Sequence, residues 1–504
     1  MKTAQPIFLT SAIPYVNAEP HLGHALELVQ SDAVARYQRA RGRTVFFSSG
    51  TDDNSLKNVR AALSAGTTPA ALVAQNGAVF RRLASTLHVE HDDFVHTASD
   101  PRHAPAVAEL WERCAAAGDV YKKAYRGLYC VGCEHFLREP EIVAGSCPVH
   151  PGPLQAVEEE NWFFRLSRYR DAILAAIRDG QLQIVPSERR NEVLEFVRSG
   201  LEDFSISRSR SRESAWGITV PGDASQLVYV WFDALANYLS VLGYPSGCSF
   251  ARHWQGEGER VHIIGKDILR FHAVYWPAIL LSAGLSLPTS LRVHGLITSN
   301  GKKLGKSLGN AVDPFRLAQR YGVDAVRYFL LAHLHTTKDS EFREELLRTA
   351  YDADLAGKLG NLLQRVCALC QQYPGCSSLG LGDIEPVLLA ACETARDAVE
   401  RAVEGFALHE ALRAIFELVS AANRYIDSRA PWQLGKLKSS AESPSDRRQA
   451  ERALEQCLSS LVHALRVTAE LLGPFLPEAA REIHARLWPA PRLGAALFPR
   501  LAAP

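Results

Sequence analysis

The sequence predicts a doubly wound parallel α/β domain, split by a cysteine-rich insertion and followed by an all-α bundle. Three observations lead there. Before about residue 115, short buried-strand patterns alternate with amphipathic helical ones. A Cys/Gly/Pro-rich stretch from about Ala124 to Pro153 interrupts that alternation, and strand patterns resume beyond it. From about Tyr351 the apolar residues recur at i, i+3 and i+4 in long runs.

Taken in order, Pro6 to Ile13 is an apolar, β-branched run and predicts a buried strand. Leu22 to Tyr37 carries one apolar stripe and predicts a helix. Val45 to Ser49 predicts a second strand, ending at Gly50-Thr51-Asp52. After the insertion, Leu227 to Trp231, Val261 to Ile264 and Leu291 to Leu296 read as further strands. Val387 to Ile426 and Arg452 to Leu472 read as helical runs, with the Ser-rich, charged stretch Lys438 to Arg447 as a loop. The expected division is residues 1–115 and 226–325 for the two halves of the α/β domain, 116–225 for the insertion, 326–350 for a link and 351–504 for the bundle. In such a domain ligands bind at the carboxyl ends of the strands.

Composition sets outer limits. A chain of 504 residues holds several cores rather than one. Its 47% hydrophobic and 22% charged residues describe an ordinary globular protein. No apolar run approaches the roughly 18 residues of a membrane span, and no signal-peptide pattern opens the chain, so a cytoplasmic protein without a membrane partner is expected. Ten Cys then read as metal ligands and buried thiols. A net charge of +1 gives no broad basic footprint, so any nucleic-acid contact must come from local patches.

Two motifs carry chemistry. His21-Leu22-Gly23-His24 sets two imidazoles at a helix start, where the helix dipole favours an anion. Lys302-Lys303-Leu304-Gly305-Lys306-Ser307 is a glycine-containing lysine cluster. A reaction that moves charge onto pyrophosphate needs such donors preorganised where the charge develops. Separately, Cys130-x2-Cys133 and Cys147-x2-His150 have the spacing of a tetrahedral zinc site. Four ligands leave no open position, so one structural Zn²⁺ is expected, worth roughly 10–16 kcal/mol to the folding of a small insert. Cys367 and Cys370 sit in a helical run without a second pair and read as buried or surface thiols.

Through these motifs the chain resembles the class I aminoacyl-tRNA synthetases, and among them the methionyl-tRNA synthetases of the bacterial type. Leu22 stands for the Ile of their HIGH motif, and Leu304-Gly305 for the Met-Ser of KMSKS. The likeness runs from about Phe8 to about Trp488. It implies a Rossmann-like catalytic domain carrying a zinc knuckle and a helical anticodon-binding domain. It also implies ATP-dependent attachment of methionine to initiator and elongator methionine tRNA through methionyl adenylate, with Mg²⁺.

By position, it assigns catalytic roles to His21, His24, Lys303, Lys306 and Ser307. ATP would further meet Gly265, Asp267, His294, Gly295, Leu296 and Ile297. Methionine would lie among Ala12, Ile13, Tyr15, Trp231, Ala234, Leu235, Tyr238, Ile268, Phe271, His272 and Trp276, with Asp52 on its ammonium. Aromatic walls suit a thioether, at ~0.3–1.5 kcal/mol per contact. Asn361, Arg365 and Trp432 would read the anticodon by base-edge contacts and stacking. The short stretch beyond Trp488 leads to the expectation of a monomer.

Departures from the family pattern are local. Where the family reads Gly-Thr-Asp-Glu-His-Gly, this chain has Gly50-Thr51-Asp52-Asp53-Asn54-Ser55, and Gly305 replaces the Ser of the lysine loop. They motivate one alternative, a paralogue that activates an amino acid for small-molecule biosynthesis without charging tRNA. A second alternative is an inactive RNA-binding regulator, against which the retained His and Lys residues speak. Methionine occurs only at Met1, so elongation of this chain consumes no elongator methionine tRNA.

Overall fold

The computed structural model describes residues 5–130, 135–137, 142–143, 145–148, 153–210, 215–299, 301–304, 310–374 and 384–501. The chain divides into two compact units. One contains residues up to 85, 89–294 and 305–311, and the other 86–88, 295–304 and everything from 312 onward.

The first unit is built on a six-stranded, all-parallel sheet. Its strands are β1 (Ile7–Ser11), β2 (Val45–Thr51), β3 (Asp93–His96), β4 (Gln183–Val185), β5 (Glu259–Gly265) and β6 (Ser290–His294), in the order β3-β2-β1-β5-β6-β4. All five residues of β1 are buried, as a central parallel strand covered on both faces requires. The chain leaves β1 toward β2 on one side and returns to β5 on the other. That reversal opens a crevice at the carboxyl ends of β1 and β5, where this fold class binds ligands. Helix α1 (Leu22–Ala40) follows β1 and buries Leu22, Ala25, Leu26, Val29 and Ala33.

The insertion is antiparallel. Val120–Cys130 pairs with Gln155–Phe164 in register from Val120 opposite Phe164 to Tyr129 opposite Gln155. Two sequence expectations about this unit need correction. Leu227 to Trp231 is not a strand of the parallel sheet: Asp223–Val228 belongs to a separate three-stranded sheet, and a helix, α2 (Val230–Ser240), starts immediately after it. A short apolar run fits either state, and here Phe232, Ala236 and Leu239 bury one helical face. The sixth parallel strand, β4, arises within the stretch read as insertion.

The second unit opens with a small sheet in which Ile297–Ser299 pairs with Lys302–Lys303 on one side and Ser340–Glu341 on the other. Among the described residues the rest of its regular structure is helical. The run read as Val387 to Ile426 is two helices, Pro386–Glu404 and Leu408–Arg429, broken at Gly405-Phe406-Ala407, where Phe406 has φ +52°. The expected loop from Lys438 to Arg447 shrinks to 441–443 between Pro431–Ser440 and Pro444–Leu472. Ser443 caps the later helix through the Asp446 N–H, and Pro444 occupies its first position, which suits a helix start.

Candidate active site

His21 is the N-cap of α1. Its Nδ1 accepts the Gly23 N–H at 3.1 Å, and His24 Nδ1 accepts the His21 N–H at 3.1 Å. The two rings stack with centroids 4.0 Å apart. A Cβ on Gly23 would stand 2.8 Å from the His21 ring, so the small residue belongs to the cap. Because both Nδ1 atoms accept, a neutral ring carries its proton on Nε2. The motif therefore presents imidazole N–H donors beside the positive end of a helix, the form a phosphate oxygen needs.

Gly265 ends β5 and His294 ends β6 beside it. A Cβ at Gly265 would come within 2.7 Å of Asp267 Oδ1 and 3.5 Å of the His294 ring. Glycine thus lets a carboxylate and an imidazole lie over the strand ends. His294 Nε2 meets Glu27 Oε2 at 2.9 Å, which ties β6 to α1 one turn beyond His24. Gly295, Leu296 and Ile297 lie in the second unit, where Leu296 N–H donates to Asp339 Oδ1 at 3.0 Å. Lys303 is in a short strand there, while Lys306 and Ser307 lie outside the described residues.

Several of the residues expected around the methionine side chain form one aromatic group. Trp231 stacks on Phe271 at 3.6 Å with planes 4° apart, and Tyr15 meets Trp231 edge-on at 6.5 Å. The Tyr238 hydroxyl and His272 Nε2 are 2.8 Å apart, and His272 Nδ1 lies 3.0 Å from the Ile268 carbonyl. Burial holds the His272 imidazole down at about 4, against the pull of the Ile268 carbonyl and Asp267. A neutral ring facing a carbonyl must carry its proton on Nδ1, so Tyr238 donates to Nε2. Ala12, Trp231 and Ile268 border the main core, which includes Leu235 and Trp276, and Ala234 is buried on α2. Ile13 lies against Gly50.

Asp52 follows β2, with its N–H donating to the Pro14 carbonyl at 2.9 Å and a bridge to Tyr15. That places the expected ammonium partner beside the first strand's exit. Asp53 N–H donates to Thr97 Oγ1 at 2.8 Å, and Asp53 Oδ2 accepts the Ala98 N–H at 3.2 Å. Burial pushes the Asp53 carboxyl up to about 6; Thr51 and Ala98 oppose this, Asp233 adds to it and His103 opposes it.

Sequence reasoning missed the groups that brace this pocket. Asn54 Nδ2 donates to Asp233 Oδ2 at 2.8 Å, His103 Nε2 meets Asp233 Oδ1 at 2.5 Å, and His103 Nδ1 meets Ser240 Oγ at 2.9 Å. Asp233 stands between Trp231 and Ala234, two of the residues expected at the pocket, and its burial was the missing clue. His103 left no local signal. Thr10 and His262 form another buried pair at 2.7 Å, with His262 stacked on Tyr238 at 4.2 Å.

Of the expected zinc ligands, Cys130 and Cys147 are buried in one small cluster with Leu137, and among the described residues no group of three or more His, Cys, Asp or Glu side chains is placed to hold a metal ion. Cys133 and His150 lie outside the described residues. Cys367 and Cys370 are buried on the helix Asn361–Gln372. In the second unit Asn361 is exposed at the start of that helix, Arg365 pairs with Asp427 at 2.6 Å, and Trp432 is 38% exposed. Trp432 follows Ala430, whose φ of +42° turns the chain between two helices.

Known proteins match this arrangement along most of its length. The family described as "tRNA synthetases class I (M)" matches residues 7–156 and 150–367. The methionine–tRNA ligase of Brucella suis biovar 1 is 39% identical over 487 residues, covering 94% of this chain and 90% of that protein. That of Rhizobium meliloti is 40% identical over 495 residues, covering 96% and 92%. A structure of Mycobacterium tuberculosis methionyl-tRNA synthetase in complex with methionyl-adenylate superposes with a TM-score of 0.90 at 38% identity, covering 98% of this chain and 100% of that one. Its apo form gives 0.84 at 35% identity, covering 99% of each chain. With the parallel sheet, the imidazole cap and the aromatic group in place, the chain belongs to the methionine–tRNA ligases of the class I tRNA synthetases.

Proposed function

We infer that the protein uses ATP to convert methionine to methionyl adenylate and then transfers the methionyl group to methionine tRNA. The observation that carries this reading is the meeting, at the carboxyl ends of β1, β2 and β5, of Asp52, the Trp231–Phe271 stack and the Tyr238–His272 pair beside the imidazole-capped helix.

A methionine carboxylate oxygen attacks the α-phosphorus of ATP in line, and pyrophosphate leaves. His21 and His24 donate to the phosphate oxygens as charge builds, Asp52 holds the ammonium, and the aromatic group encloses the thioether. Asp267 accepts from the ribose, while His294 is held by Glu27 against α1. The 3′-terminal adenosine of the tRNA then attacks the activated carbonyl through a hydroxyl, and AMP departs. No side-chain nucleophile is needed, so positioning and electrostatics do the catalysis.

The roles of Lys303, Lys306 and Ser307 on the polyphosphate, of Gly295, Leu296 and Ile297 along the nucleotide, and of Asn361, Arg365 and Trp432 on the anticodon rest on the sequence resemblance. Mg²⁺ with ATP rests on it too, whereas a monomeric cytoplasmic enzyme and the domain limits at 115, 225, 325 and 350 rest on the reading of the sequence pattern alone. A zinc ion held by Cys130, Cys133, Cys147 and His150 would cross-link the insertion and take no part in the reaction. Among the described residues no helix is long and apolar enough to cross a membrane.

Methionine-dependent exchange of pyrophosphate into ATP, followed by charging of initiator and elongator tRNA, tests the reading. Both activities are expected. Exchange without charging would make the chain an adenylate-forming paralogue, and neither activity would make it an inactive relative.

A further inference from the structure

We propose that the buried line Asn54–Asp233–His103–Ser240 fixes the length of the methionine pocket and so sets discrimination against side chains one methylene shorter or longer. The inference rests on the reading that this pocket holds methionine.

The line joins the two ends of that pocket. Asn54 lies in the turn that carries Asp52, the ammonium end, and Asp233 lies in the first turn of α2 among Trp231, Ala234 and Leu235, the side-chain end. Asp233 spends both oxygens on the connection, one on Asn54 and one on His103, and His103 returns to the far end of the same helix through Ser240. All four side chains are buried, with His103 and Ser240 at 0% exposure.

Neither end needs this line merely to fold. The turn is already held by Asn58 Nδ2 donating to the Asp52 and Asp53 carbonyls at 2.9 Å each, and by Ser55 capping the next helix. Helix α2 is already held by Phe232, Ala236 and Leu239, each fully buried. Replacing a buried polar or ionic cluster with apolar residues is often neutral or stabilising, so stability alone is weak grounds for this line. What a stiff polar line adds is a fixed spacing. Apolar contacts slide at little cost, whereas hydrogen bonds of 2.5–2.9 Å lose their strength within a fraction of an ångström. Asp233 and His103 are therefore positioning residues, acting on the substrate through Asn54 and α2.

The test is pyrophosphate exchange with methionine, homocysteine and ethionine, giving kcat and KM for each. A hydrophobic pocket separates neighbours one methylene apart by roughly 10- to 200-fold. His103→Leu and Asp233→Asn are expected to lower the methionine-over-analogue ratio of kcat/KM by about fivefold or more, a fraction of that range. His103→Gln, which keeps a donor for Asp233, is expected to recover most of the ratio. Asn54→Ala removes only the terminal contact from a turn held independently. It gives the deciding measurement if the other variants do not fold, with a smaller loss of the ratio expected.

Ratios within twofold of the parent in every folded variant would overturn the proposal, as would a glutamine variant no better than the leucine one. Failure of the parent protein to exchange with methionine would instead sink the pocket reading itself.

Discussion

On the proposed reading, the methionine pocket and the tRNA-reading face of the helical unit would solve recognition in opposite ways. In the pocket the polar atoms are cross-tied before any substrate arrives: Tyr238 to His272, His272 to Ile268, Asn54 to Asp233. On the helical unit Asn361 is exposed, Trp432 is 38% exposed, and Arg365 is held by Asp427, itself mostly in solvent. A small substrate has few atoms with which to reorganise a site, so the enzyme must be preorganised around it. A macromolecule brings its own large surface, and exposed stacking and hydrogen-bonding groups suffice.

The largest expected effect tests preorganisation at the nucleotide end. His24→Ala should slow adenylate formation about 10²- to 10³-fold, the usual cost of one lost charge-stabilising donor. Methionine affinity should change by less than about twofold, because His24 lies in the cap rather than the aromatic group. Rapid-quench kinetics and calorimetry separate the two, and an equal loss in both would erase the contrast. Next in size, Trp432→Ala removes one stacking surface worth ~1–3 kcal/mol. The KM for tRNA in charging should rise about 5- to 150-fold, far more than any change in methionine-dependent exchange.

How much of this was legible follows from how far apart the partners lie in the chain. The His21–His24 cap could be read because its hydrogen bonds span two or three residues, and the strand ends because a buried parallel strand is a continuous apolar run. Leu227 to Trp231 reads wrongly as a strand of the parallel sheet, since five apolar residues fit a strand or one face of α2 equally well. The three-residue strand β4 is too short to show a period at all. In the proposed pocket, the aromatic residues were legible only through the family resemblance, since each alone reads equally well as core. Asp233 and His103, 130 residues apart, had no pattern that sequence could display.

Buried acids sharpen the comparison through pH. Burial raises Asp53 from an ordinary carboxyl value of 3.8 to about 6. The folded state therefore binds the proton more tightly than the unfolded chain. Its contribution is fully present below pH 3.8 and is lost as pH rises through 6. At pH 7 the ionised group is a cost, and Asp53→Asn should raise stability there by about 1–2 kcal/mol, after allowing for a buried amide N–H without an acceptor. Thermal midpoints from pH 4 to 7 should show the gain growing with pH, and a gain independent of pH would contradict it.

Asp354, in the helical unit, should behave in the reverse sense and with the smallest effect. Burial alone would raise its carboxyl, but His333, Lys358 and the Tyr328 hydroxyl outweigh it and hold the group at about 2. The Lys358 Nζ contact is 2.7 Å and the Tyr328 hydroxyl contact 3.0 Å. A lowered value means the unfolded chain binds the proton more tightly, so this contribution is present above pH 3.8 and fades as pH falls through 2. Lys358 is half exposed, which screens part of the pairing. Asp354→Asn should therefore lower stability at pH 7 by only about 1 kcal/mol, and by progressively less toward pH 2. Measured side by side at pH 7, the two Asp→Asn variants should shift the thermal midpoint in opposite directions. Shifts of the same sign would mean that Asp53 is a structural ion like its counterpart.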